Sequence, residues 1–293
     1  MPRLLTTVLL LGFVGLMSGC GGREAGTPGN AQPASPTAGE ADDKQVAEAL
    51  AQLKVVTKLD KNGRIIVADF SQNPVRDADL EPVKRLTQLR SLKLSGSPIT
   101  DAGLERLRGL VNLEELYLGE TAITDAGLES LERLTKLKKL RLSGTKVSDA
   151  GLARLAALPN LRELDLSKTG VGDAGVKVLK SLPKLTDLNL WTTAISDAAA
   201  EDLQGMTSLV WLNLDNNPIS DAALPKVAKL VNLEFLHLGR SKVTDAGLKD
   251  LEALKKLKTV HLTNNPVTPE GAKKLKAALP ECDVKQGATA PKP

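Results

Sequence analysis

The sequence predicts an α/β solenoid: a parallel sheet on one side, short helices on the other, built from one unit repeated along the chain. Three observations predict it. Leu89, Leu113, Leu137, Leu161, Leu185, Leu209, Leu233 and Leu257 recur every 24 residues without insertion, and a fixed period of about 20–29 residues marks stacked repeats. Ile65 extends the series backwards to a ninth copy. Within each copy the spacing L-x-x-L-x-L alternates inward and outward positions as a strand requires. Finally, a helix start recurs in one register, as ITDAGLERL at 99, ITDAGLESL at 123 and VTDAGLKDL at 243, with looser copies between.

Taken in order, each unit opens on its strand, for example Leu113, Leu116 and Leu118. A short polar residue follows at Ser97, Thr121, Thr145, Thr169, Thr193, Asn217, Ser241 and Asn265. Its side chain can turn inward and satisfy backbone groups left unpaired by the turn. Thr or Ser then caps a helix, with Asp125 and its equivalents at the first helical position, where negative charge complements the dipole. The ninth copy has Pro269 after Thr268, and proline is favoured at that position. Leu104, Leu107 and Leu110 turn one helix face onto the sheet. Glycine or alanine at 103, 127, 151, 175, 199, 223, 247 and 271 points to close approach between neighbouring helices. A single unit cannot bury its apolar face alone, so the repetition is architectural, and TDAGL itself is read as scaffold.

The ends need caps. Val46, Ala47, Leu50 and Leu53 share one face of a helix predicted over 44–56, which closes the N-terminal end. Val284 begins a tenth strand, with Cys282 beside it as a small buried hydrophobe. The boundaries are 1–19 for a signal peptide, 20–42 for a linker headed by Cys20, 43–64 for the helical cap, 65–285 for the repeats and 286–293 for a disordered tail.

The repeat L-x-x-L-x-L-x-x-(T/S/N)-x-(I/V) over residues 65–284 resembles the leucine-rich repeat family, and TDAGL resembles its ribonuclease-inhibitor-like and bacterial branch. The resemblance implies a right-handed horseshoe with the sheet on the concave face, helices on the convex face, and a role in binding proteins.

The N-terminus points to export. Arg3 precedes an apolar run, Leu4 to Met17, too short to span a membrane and suited to a signal peptide. Leu16-Met17-Ser18-Gly19-Cys20 resembles the lipobox of bacterial lipoproteins. That resemblance implies a lipid on Cys20 and a protein held on the exported side of a membrane of the cell envelope. Residues 21–41, rich in Gly, Ala, Pro, Ser and Thr, have little to bury and read as a disordered tether.

Composition narrows the function. The net charge of +4 with 25% charged residues lacks the clustered basic footprint of a nucleic-acid binder. Two cysteines make no disulfide framework. There is no G-x-S-x-G, P-loop, H-E-x-x-H or CxxC, so neither an enzyme nor a cofactor is expected.

The candidate surface is the outward face of the strands. Five aromatic residues follow the signal peptide: Phe70, on a core position, and Tyr117, Trp191, Trp211 and Phe235, all on the outward face. His237 and His261 share that face. With Asp187, Asn189, Asn213 and Asp215 they form the candidate binding set, since exposed aromatics beside polar groups are the composition of binding hot spots. Tyr117 falls between Lys93 and Arg141, within cation–π geometry. His237, His261 and Asp215 also offer metal-type donors, but two ladder histidines read as well as exposed polar residues, and no metal is expected. The sequence therefore points to a monomeric, lipid-anchored protein whose concave face binds a protein. A cell-envelope glycan ligand and a non-catalytic spacer remain as alternatives.

Overall fold

The computed structural model describes residues 38–287. The signal peptide, Cys20, the linker to residue 37 and the tail from 288 lie outside the described residues.

Eleven strands form one sheet in chain order. They are β1 (Val56–Leu59), β2 (Ile65–Asp69), β3 (Ser91–Lys93), β4 (Glu115–Tyr117), β5 (Lys139–Arg141), β6 (Glu163–Asp165), β7 (Asp187–Asn189), β8 (Trp211–Asn213), β9 (Phe235–His237), β10 (Thr259–His261) and β11 (Asp283–Lys285). From β2 to β11 every pairing is parallel with an unbroken 24-residue register: Leu92 opposes Leu116, Leu116 opposes Leu140, and so on to Val260 and Val284. The repeat leucines fill one continuous aliphatic core, most of them fully buried. Phe70 is the aromatic member of that core.

Between strands the chain makes short helical turns, some α, such as Asp101–Glu105 and Asp245–Leu251, and some 3₁₀, such as Ala126–Leu131. Thr100, Ser148, Ser196, Ser220 and Thr244 each cap their helix by accepting from the backbone N–H two residues on. The polar residue after each strand behaves as its chemistry requires. Thr121, Thr145 and Thr169 donate to the carbonyls of Leu118, Leu142 and Leu166 at 2.5–2.6 Å, and Asn217 donates across two repeats to Leu190 and Leu214.

Two features go beyond the sequence expectation. The aspartate that opens each helix also reaches forward. Its carboxylate accepts from the cap residue of the next repeat in eight successive pairs, Asp77 to Thr100 through Asp245 to Thr268. This carboxylate explains the small residue in DAGL. A Cβ on Gly127 would stand 2.3 Å from Asp101 Oδ1, and one on Gly247 2.3 Å from Asp221 Oδ1. The crowding is therefore against the preceding aspartate as well as a leucine of the preceding helix.

The second is a left-handed residue just past each strand. Gly96, Glu120, Gly144, Lys168, Thr192, Asn216, Arg240 and Asn264 all have φ between 48° and 75°. The turn demands it, although only two of the eight are glycine.

The N-terminal cap differs from the expected helix over 44–56. Helix α1 runs Ala38–Gln52, starting inside the segment expected to be linker and ending sooner. Val46 and Leu50 are buried in the core as predicted, with Ala47 and Leu53 against it. Residues 56–59 then form β1, which pairs antiparallel with β2. The turn between them, Asp60-Lys61-Asn62-Gly63, is held by Asp60, whose carboxylate accepts from the N–H groups of Asn62 and Arg64 and from the Arg64 guanidinium. At the other end β11 and buried Cys282 fall where the sequence puts them.

Candidate functional site

From β3 to β11 the middle residue of each strand points into the core, so its two neighbours project from the opposite face. That places all ten candidate residues of the described chain on or just past the strands of one surface. Trp211 opposes Phe235, and His237 opposes His261. The Trp211 and Phe235 rings stack with centroids 4.9 Å apart and planes 5° from parallel. The two imidazoles stack at 4.5 Å and 10°. Phe235 meets His261 at 5.4 Å and His237 at 6.3 Å, so four rings make one cluster.

Asp215 is buried at 6% exposure and accepts from the Arg240 guanidinium at both oxygens. His237 Nδ1 lies 3.8 Å from Asp215, yet it accepts the Gly239 N–H at 3.2 Å. An Nδ1 that accepts leaves the proton on Nε2. Burial pushes the His237 pKa below the usual imidazole value, opposed by Asp215 and assisted by His261 and Arg240. Burial, then Lys285, lowers that of His261. Both rings are neutral at pH 7, which suits face-to-face stacking. Face-to-face imidazoles do not converge their nitrogens on one point, and among the described residues no three His, Cys, Asp or Glu side chains gather as a metal site would need.

Trp191 stands apart from the stack. Lys168 Nζ and the Arg240 guanidinium lie 5.0 and 5.9 Å from its ring, and its buried Nε1 has no hydrogen-bond partner. Tyr117 likewise has Lys93 at 5.8 Å and Arg141 at 5.5 Å, as its position predicts, and its hydroxyl donates to Glu115. It sits four rungs from Trp211, roughly 19 Å at about 4.8 Å per rung, so the structure does not bring it to the ring cluster. Asn189 and Asn213 face the surface, but their carbonyl oxygens accept the N–H of Trp191 and Asp215 two residues on. Among the described residues their amide nitrogens have no hydrogen-bond partner and can donate to a ligand, and each carbonyl keeps a second lone pair.

An open hollow of about 190 Å³ adjoins the cluster. Lys139 and Arg141 of β5, Glu163 and Asp165 of β6, Asp187 and Asn189 of β7 and Trp211 of β8 line it. The first four were not among the sequence candidates. Their outward position was readable from strand alternation, but the space beside them depends on how the Trp211 ring lies.

Comparisons with known proteins follow the same lines. Family models described as leucine rich repeat match residues 87–147, 159–219 and 253–276. Among solved structures, internalin C2 from Listeria monocytogenes is 27% identical with a TM-score of 0.57, over 87% of this chain and 98% of that one. The leucine-rich repeat ectodomain of the Arabidopsis receptor kinase HAESA, solved with a peptide hormone ligand, is 17% identical with a TM-score of 0.59, over 78% of this chain and 46% of that one. No curated protein matches the sequence.

Proposed function

We propose that this chain, a leucine-rich repeat protein, is an exported lipoprotein that binds a protein partner on the outer, concave face of its sheet. The observation that carries the reading is the cluster of Trp211, Phe235, His237 and His261. Two stacked ring pairs on three successive rungs, Trp211 with Phe235 and His237 with His261, form a preformed aromatic platform on a polar face. Rigid aromatics rimmed by polar groups are what protein interfaces use as anchors. A HAESA ectodomain of the same fold was solved with a peptide hormone, which agrees with a peptide or protein ligand.

Anchoring rests on Leu16-Met17-Ser18-Gly19-Cys20, with Cys20 as the lipidated residue. No helix among the described residues is long and apolar enough to cross a membrane. Replacing Cys20 with Ser releases the protein from membranes or leaves an unprocessed precursor. A Cys20→Ser chain that fractionates and migrates as the parent does would end the lipoprotein reading.

For binding, the full chain is used to capture partners from envelope extract, and affinity is then measured for variants. Trp211→Ala weakens the complex by about 2 kcal/mol or more, as truncated anchors do, while Lys249→Ala on the helical side leaves it unchanged. Equal affinities would remove the aromatic cluster from binding. Capture of glycans in place of proteins would favour the polysaccharide alternative.

A further inference from the structure

We propose that the hollow beside Trp211 receives a cationic side chain, lysine or arginine, from the partner. The proposal builds on the protein-binding reading and names the chemistry recognised.

The ring stack sets the geometry. Phe235 lies parallel to Trp211 on the next rung and covers one face of the indole. The other face therefore looks back along the ladder toward β7, where Asp187 directly opposes Trp211. Trp211 lines the hollow and Phe235 does not. What the hollow offers is the open face of an indole, held rigid from behind.

Charge supplies the rest. Three carboxylates and two cations line the space. Lys139 is paired with Glu163 at 2.5 Å, and the Arg141 guanidinium lies over Tyr117, 5.5 Å from its ring. Asp187 accepts only from the Thr186 hydroxyl, and Asp165 only from Ser167. Among the described residues neither has a lysine or arginine within 4.0 Å, whereas Asp215, just past β8, and Asp69, at the far end of the sheet on β2, both do. Two carboxylates without a counter-ion beside an open indole face match a cation, which the ring's negative face attracts and the carboxylates neutralise. Guanidinium fits best, because its plane can stack on the indole while its edge donates to Asp187.

Size limits the occupant. About 190 Å³ falls short of the roughly 300–1,000 Å³ of sites that enclose a whole small molecule, and suits one long side chain projecting from a larger ligand. The aromatic platform next to it would then take an apolar neighbour of that side chain.

The test uses the full chain labelled with ¹⁵N. Its two tryptophans give two indole signals, assigned with Trp191→Phe. The chain is titrated with the peptides Gly-Arg-Gly, Gly-citrulline-Gly and Gly-Glu-Gly. The arginine peptide is expected to shift the Trp211 signal. Uncharged citrulline, which keeps the shape, is expected to bind at least about tenfold more weakly, a difference of about 1.4 kcal/mol. Asp187→Asn is expected to weaken the arginine peptide by a similar factor, and Asp165→Asn with Asp187→Asn further. Both substitutions keep an oxygen acceptor for Thr186 and Ser167, so the turn survives. Three results would each overturn the proposal: no Trp211 shift with the arginine peptide up to its solubility, equal binding of citrulline, or preference for the glutamate peptide. The two readings fail separately. A protein partner that depends on Trp211 but binds the double variant unchanged would sink the cation site and leave the interface standing. A cation site that works in a chain whose partner ignores Trp211 would do the reverse.

Discussion

Asp101 and Thr124, 23 residues apart in the chain, are joined by two hydrogen bonds: the Thr124 N–H donates to one carboxylate oxygen at 2.9 Å and its hydroxyl to the other at 2.6 Å. Asp101→Ala leaves the part-buried Thr124 N–H unpaired and is expected to cost about 1–3 kcal/mol. Asp149 offers a built-in comparison, because its partner Gly172 has no hydroxyl and makes only the backbone bond. Asp149→Ala should therefore cost less than Asp101→Ala. Denaturant midpoints rank the two, and the reverse order would mean the hydroxyl contributes nothing.

Thr192 has φ +53°, a left-handed conformation that a β-branched side chain resists. Asparagine tolerates it and already occupies the same repeat position at Asn216 and Asn264. Thr192→Asn is expected to raise stability by about 0.5–1 kcal/mol, after losing the hydrogen bond that Asn216 donates to the Thr192 hydroxyl. Asn216→Thr should move the midpoint the other way. Destabilisation by both substitutions would show that side-chain contacts outweigh the backbone.

Leu164 lies in the middle of β6 at 2% exposure, between Leu140 and Leu188 on adjacent rungs. Leu164→Ala is expected to cost about 2–5 kcal/mol, since flanking rungs fix the cavity walls. Lys180 pairs with Asp202 at 3.0 Å on the surface, and Lys180→Ala should stay within about 1 kcal/mol. Urea melts of the two variants should separate widely.

Both histidines have pKa values below the ordinary imidazole value in the folded chain. Between the folded and unfolded pKa the unfolded chain binds more protons, so stability rises with pH there. It is complete above the unfolded value near 6.5 and is lost as pH falls through the folded one. Acidification from about pH 7 to about pH 5 should therefore lower the melting temperature. Substituting both with Asn should flatten that part of the curve. An unchanged slope would mean neither ring is desolvated.

Strand positions were legible because a 24-residue register leaves one alignment that keeps every leucine inside. The same register brought Trp211 beside Phe235 and His237 beside His261. The hairpin of β1 and β2 was not read. Asn62-Gly63 between two apolar runs is a hairpin signal, but helical spacing through Val56 and the repeat match at Ile65 competed for those residues. The forward reach of the aspartates was hidden for another reason. A carboxylate at a helix start already has a sufficient local explanation in the dipole, so its sequence gives no sign of a second partner 23 residues away. Ring orientation likewise has no sequence signature, and the hollow depends on it.

The last copy of the aspartate position among the described residues is Pro269, which has no carboxylate to offer a following cap. From the unit of Thr100 to that of Thr244, each carries an acceptor for its successor and a donor for its predecessor. Duplicating or deleting any 24-residue unit between Asp77 and Thr268 would leave all remaining carboxylates matched, with proline still at the terminus. Gain or loss of whole units can thus lengthen or shorten the sheet rung by rung with every aspartate–cap pair kept.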